Sequence, residues 1–171
     1  KNGETTIYIG SGEYNIPASA KGKTLELIGL GNPTISVVPA GQGEANGQLD
    51  YNLDGATVTF TGLTIKTNNK TYAGYARLTA TFNNCTMENC FCLNGNSVFN
   101  DCTLNVSGDQ YNIWTWGAPV ATFTDCTFNC DGKAVLLYGQ ANTELTVNGC
   151  TFNDKGGLTD LKAAIEIGND Y

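Results

Sequence analysis

The sequence predicts an all-β chain folded as a parallel β-helix, a solenoid of about seven rungs. Three observations carry this. A seven-residue pattern recurs at solenoid spacing. Its side chains alternate with the period of two that a strand imposes. Each copy then breaks its alternation at the same place, with Gly, Asn or Asp.

The copies are Thr59-Phe60-Thr61-Gly62-Leu63-Thr64-Ile65, Thr81-Phe82-Asn83-Asn84-Cys85-Thr86-Met87, Val98-Phe99-Asn100-Asp101-Cys102-Thr103-Leu104, Thr122-Phe123-Thr124-Asp125-Cys126-Thr127-Phe128 and Thr146-Val147-Asn148-Gly149-Cys150-Thr151-Phe152. From Leu63 the central position recurs after 22, 17, 24 and 24 residues. Leu25-Glu26-Leu27-Ile28-Gly29-Leu30 is an earlier, degenerate copy. In the first strand of a copy, Phe82 and its equivalents point inward while the flanking Thr and Asn point out. The break falls on Gly62, Asn84, Asp101, Asp125 and Gly149, the residue types that tolerate a left-handed backbone. A second strand then resumes with Leu or Cys inward, Thr outward, and Ile, Met, Leu or Phe inward. Stacked at the ~4.8 Å strand spacing, like residues form ladders. No helical period intervenes, which excludes leucine-rich repeats, and a propeller blade needs four strands in ~40 residues.

A third strand per rung ends at a Gly: Phe91-Cys92-Leu93-Asn94-Gly95, Ile113-Trp114-Thr115-Trp116-Gly117, Val135-Leu136-Leu137-Tyr138-Gly139 and Ala164-Ile165-Glu166-Ile167-Gly168. Insertions such as Thr67 to Tyr75 and Asn105 to Asn112 fall beside it, where solenoids place function.

Thr6-Ile7-Tyr8-Ile9-Gly10-Ser11-Gly12-Glu13-Tyr14, followed by Thr24-Leu25-Glu26-Leu27-Ile28-Gly29, resembles the opening rung of pectin lyase-like proteins. At the level of rungs the resemblance runs from about Thr5 to Ile167. It implies a right-handed, single-stranded parallel β-helix. The superfamily includes pectate lyases, pectin methylesterases, polygalacturonases and non-catalytic surface proteins, so the resemblance speaks to fold far more than to activity.

Composition narrows the function. The 171 residues carry 9 Lys plus Arg against 16 Asp plus Glu, a net charge of −7, with 7 Cys and no His. An acidic chain whose one Arg is Arg77 lacks the basic stripe that nucleic acid needs. Without His there is no imidazole acid–base catalysis and no His-based zinc site. The longest apolar run, Ala134 to Tyr138, is far short of the ~20 residues that span a bilayer. The seven cysteines divide by position. Cys85, Cys102, Cys126 and Cys150 occupy one inward site of successive rungs and are expected as buried free thiols, since parallel Cβ vectors at strand spacing suit a disulfide poorly. Cys130 is expected inward. Cys90 and Cys92 flank Phe91 and share a face, leaving a pairing of either one open. A zinc site from Cys85, Cys90 and Cys92 is disfavoured because stacked ligands lie in a line.

Catalysis of the superfamily's kinds needs clusters that this chain does not match. There is no Asp-Asp pair and no Gly-His-Gly segment, and Asp50, Asp54 and Glu44 near Gln48 read as a solvated loop. No catalytic residue, metal or cofactor is assigned. The third strand is apolar on both faces, so something covers one of them. Tyr111, Trp114, Trp116 and Tyr138, with Tyr72 and Tyr75 beside them, form the candidate carbohydrate-contacting group, because flat aromatic faces stack on sugar rings. The competing reading puts both Trp in the core. Thr115 and Glu166, which prefer solvent, favour it. Two outward Thr columns, through Thr64, Thr86, Thr103, Thr127 and Thr151 and through Thr59, Thr81, Thr122 and Thr146, also invite an ice-binding reading; Lys66, Glu88 and Asn105 count against a uniform surface.

The sequence thus reads as a single β-helix domain over residues 1–171, a fragment or module of a longer protein with flanking domains. Its expected role is a non-catalytic, secreted or surface-displayed bacterial scaffold for adhesion, with a glycan or host-surface partner. A fragment of a polysaccharide-active lyase, esterase or hydrolase is the alternative, and an ice-binding surface the third.

Overall fold

The computed structural model describes residues 5–15, 20–36, 53–67, 78–106, 111–115, 119–131, 133–138, 142–156 and 163–168. Among them the chain is all-β, with parallel strands in three sheets. The first sheet stacks β1 (Thr5–Ile9), β3 (Thr24–Gly29), β5 (Thr57–Thr61), β7 (Thr79–Asn83), β10 (Ser97–Asn100), β13 (Val120–Thr124) and β16 (Glu144–Asn148). The second stacks β2 (Glu13–Tyr14), β4 (Thr34–Ser36), β6 (Thr64–Lys66), β8 (Thr86–Glu88), β11 (Thr103–Asn105), β14 (Thr127–Cys130) and β17 (Thr151–Asp154). The third holds β9 (Phe91–Leu93), β12 (Ile113–Thr115), β15 (Val135–Tyr138) and β18 (Ile165–Gly168). Each visit of the chain to a sheet pairs with the visit before it, an arrangement compatible with a parallel β-helix.

The register is the one the repeat dictates. Leu27, Phe60, Phe82, Phe99, Phe123 and Val147 are consecutive Cα partners across the first sheet. Ile35, Ile65, Met87, Leu104, Phe128 and Phe152 are consecutive partners across the second. Because successive side chains of a strand point to opposite faces, one register sends both columns into a common core. Phe60, Phe82, Phe99 and Phe123 are buried there as a continuous ring stack, with centroids 4.9, 4.6 and 4.5 Å apart and planes within 12° of parallel. Each such pair is worth about 0.5–1.5 kcal/mol beyond the area it buries.

The corner between first and second strands is left-handed where the sequence predicts it. Gly62, Asn84, Asp101, Asp125 and Gly149 have φ of 65°, 50°, 53°, 53° and 65°. In the degenerate copy the turn moves downstream: Gly29 extends β3, and Gly31 and Asn32 take the positive φ of 83° and 55°. Gly29 serves a different purpose, since a Cβ there would lie 2.1 Å from the Gly62 carbonyl oxygen of the next layer.

Just past each corner come the free thiols of Cys85, Cys102, Cys126 and Cys150, of which the first three are buried and the last half-buried. Each of the first three points its Sγ at the carbonyl of the inward Phe one layer below, Phe60, Phe82 and Phe99, at 3.5, 3.3 and 3.5 Å. A thiol suits the site because it fills space like a small hydrophobe yet still offers a weak donor to a buried carbonyl. The hydrogen bond with Cys102 is the largest influence on both neighbours, moving Cys85 down from the ordinary thiol range and, together with burial, Cys126 up. Cys130 lies in the core as expected. Cys90 is buried, which pushes its thiol up to about 12, and the Cys92 side chain lies outside the described residues.

Outside the core, the second sheet carries an amide ladder. Asn105 donates to Glu88 at 2.8 Å, Asn129 to Asn105 at 2.8 Å and Asn153 to Asn129 at 3.0 Å. These bonds satisfy the half-exposed polar column while the backbone hydrogen bonds hold the layer spacing.

Candidate functional site

The third sheet decides which aromatic groups are available. Its strands pair Phe91 with Ile113, Ile113 with Val135 and Val135 with Ile165, and the first three of these are buried in the main core. The next column therefore points away from that core: Trp114, then Leu136, then Glu166. Trp114 and Leu136 form a separate apolar cluster with Tyr111 packed against it. The chain itself covers this outer face, since Trp114 is only 2% exposed and Leu136 only 5%.

For Trp114 this corrects the competing reading, which puts both Trp in the main core. Trp114 lies on the opposite face of the sheet, in its own covered cluster. The solvent preference assigned to Thr115 is overturned as well. Thr115 takes the inward column beside Leu93, is fully buried, and directs its hydroxyl to the Leu136 carbonyl at 3.4 Å. A threonine can sit inward because that neighbouring carbonyl satisfies its hydroxyl. Trp116 lies outside the described residues, as do Tyr72, Tyr75 and Arg77. Tyr138 contributes the last residue of β15, and its side chain is likewise outside them. Glu44, Gln48 and Asp50 of the acidic loop are also outside, and Asp54 is exposed.

Of the two described side chains of the predicted group, Tyr111 and Trp114, it is Tyr111 that reaches the surface. It is half-buried, and its hydroxyl donates to Glu166 Oε2. The Lys133 ammonium stands 5.0 Å from the centroid of its ring, a cation–π distance. The site is thus an aromatic ring on an apolar base of Trp114 and Leu136, with a carboxylate at its phenol end and an ammonium over its face. Sequence reasoning missed Lys133 and treated Glu166 as mere solvent dressing. The signal was present: counting back from the Ile113 and Val135 pair places Lys133 beside Tyr111 in the next layer. Asn112, next to Tyr111, is 1% exposed, and neither its side-chain oxygen nor its nitrogen has a hydrogen-bond partner.

A second concavity, of about 560 Å³, opens at the N-terminal end of the stack, lined by Ile7, Tyr14, Leu25, Leu27, Ile35 and Lys23 among others. It continues the core columns and gathers no set of reactive groups. Among the described residues no three His, Cys, Asp or Glu side chains are placed to hold a metal ion, and no helix is long and apolar enough to cross a membrane. No protein-family model, curated protein or solved structure matches the chain.

Proposed function

We propose that the chain is a right-handed parallel β-helix of seven rungs, akin to the pectin lyase-like proteins, that works as a secreted or surface-displayed scaffold contacting glycans. Support for the fold is the seven-layer parallel register of two sheets. Right-handedness follows from the strong chiral preference of crossovers between parallel strands. The observation that carries the function is the Tyr111 cluster. A half-buried aromatic ring flanked by a carboxylate and an ammonium offers an apolar edge beside groups that hydrogen-bond sugar hydroxyls. Beneath them the Trp114–Leu136 cluster acts as support and is not itself the contact surface.

A glycan array followed by calorimetry on the leading glycan tests this. Tyr111→Ala and Glu166→Gln are expected to weaken binding at least tenfold while the melting curve stays within a few degrees of wild type. Binding by wild type that survives both substitutions, or no binding to any glycan, would overturn the reading. Clear turnover of pectin or a related uronic polymer by this chain would replace the scaffold with an enzyme.

A further inference from the structure

The outer face of the first sheet lies on a different sheet from the Tyr111 cluster and carries a threonine-rich column. Its central column runs Thr59, Thr81, Val98, Thr122 and Thr146 through consecutive layers. Thr57 and Thr79 pair in the column on one side, and Thr61 and Asn83 in the column on the other. Along β5, β7, β10 and β13 no outward position is ionisable, although the chain as a whole is 15% charged. Glu26 and Glu144 stand only in the flanking strands β3 and β16. Val98 and Val120 are 37% and 38% exposed, so apolar groups share this plane with hydroxyls.

Lys66 and Glu88, which argued against a uniform threonine surface, pair with each other in the second sheet. The first sheet is free of them. Its hydroxyl and methyl groups repeat at the layer spacing of the ring stack, 4.5–4.9 Å, in one direction. Along each strand they repeat every ~6.7 Å, two residues of extended chain. At the N-terminal end of this face Thr6 donates to Glu26; nearer the middle Asn100 donates to Asn83 and Asn96 accepts from the Val120 amide, and the hydroxyls of Thr59, Thr81, Thr122 and Thr146 take part in none of these bonds.

From these observations we infer that the outer face of the first sheet binds ice. An ion imposes its own radial hydration shell, whereas hydroxyls and methyls repeated at fixed spacing along a column impose a regular order on their first water layer. A charged polymer finds no counter-charge here, and an irregular partner gains nothing from the repeat. A periodic, uncharged solid made of hydrogen-bonding units gains from both. The second sheet has its own threonine column, but the ionisable Lys66 and Glu88 run beside it.

Thermal hysteresis and ice-recrystallisation inhibition of the full chain test the inference. Wild type is expected to show both and to facet growing crystals. Val98→Lys and, separately, Thr122→Lys are expected to abolish both, with circular-dichroism melts close to wild type showing that the fold survives. Thr103→Lys on the second sheet and Tyr111→Ala are expected to leave them intact, which separates this face from the glycan reading. Absence of both activities in wild type would overturn it, as would equal loss in Thr103→Lys. Sedimentation with microcrystalline cellulose that Val98→Lys removes, without any effect on ice, would assign the face to a neutral crystalline polysaccharide instead.

Discussion

Truncating Phe99 to Ala removes the middle of the ring stack, and the structure sets the size of the effect. Phe99 is fully buried between Phe82 at 4.6 Å and Phe123 at 4.5 Å. Loss of the buried ring forfeits about 1.5–3 kcal/mol of transfer free energy. Two stacked contacts add about 0.5–1.5 kcal/mol each. The hole cannot close, because the strands above and below are held at fixed spacing by hydrogen bonds on both sides of β10. The sum falls near about 4 kcal/mol, within the usual range of about 3–5 for Phe→Ala in a core. Phe152 offers the internal comparison. It is half-buried in the last layer of the second sheet and stacks on Phe128 at 4.9 Å. Phe152→Ala is therefore expected to cost about half as much as Phe99→Ala. Urea unfolding followed by circular dichroism measures both. Hydrogen exchange then reports whether the loss is centred on the layers of β7, β10 and β13, as nearest-neighbour coupling requires. If Phe99→Ala costs no more than Phe152→Ala, the continuous stack does not carry the core.

Other perturbations follow from the same register. Asn84→Val puts a β-branched residue at φ 50° and is expected to destabilise by about 1–2 kcal/mol, whereas Asn84→Gly is neutral or mildly stabilising by denaturant titration. Gly29→Ala forces a Cβ against the Gly62 carbonyl at 2.1 Å, so β3 and β5 must separate; limited proteolysis is expected to cut near them first, and wild-type resistance would contradict the close approach. The Cys90 thiol is pushed up to about 12 from an ordinary 9.0, so the folded chain keeps a proton that the unfolded chain gives up. Its stabilising contribution is whole below pH 9 and fades as pH rises toward 12; Cys90→Ala should show a shallower fall in stability across that window. Trp114→Ala should disrupt the third sheet's cover by about 3–5 kcal/mol, while Tyr111→Ala costs much less; equal costs would deny the distinction between buried support and surface contact.

What was legible in the sequence is what a repeat makes redundant. Phe82 alone is an ordinary apolar residue. Five aligned copies fix its face, its partners and the handedness of the next backbone position, because a one-residue slip would turn every Phe outward at once. The thiol column was legible for the same reason, although its use of the Phe carbonyls below was not, since that depends on where the corner aims the Sγ. The degenerate copy misled only at its corner, where Gly29 is required by the approach of Gly62 and the turn is made by Gly31 and Asn32.

The third strand resisted reading because alternation conveys nothing when both faces are apolar. Thr115 and Glu166 were the only polar markers available, and they fall on opposite faces: Thr115 inward against a carbonyl, Glu166 outward against the Tyr111 hydroxyl. Polarity predicts exposure only when no nearby group satisfies it, and here the Thr115 hydroxyl and the Glu166 carboxylate each have a partner supplied by another layer. The stacking that makes Phe and Cys columns easy to read is therefore what hides this site. Lys133 and Glu166 come from layers adjacent to one another, Tyr111 from the layer before them, and their convergence depends on a register that single residues do not announce. In a chain built this way, chemistry is to be sought across layers at one column rather than along any one strand.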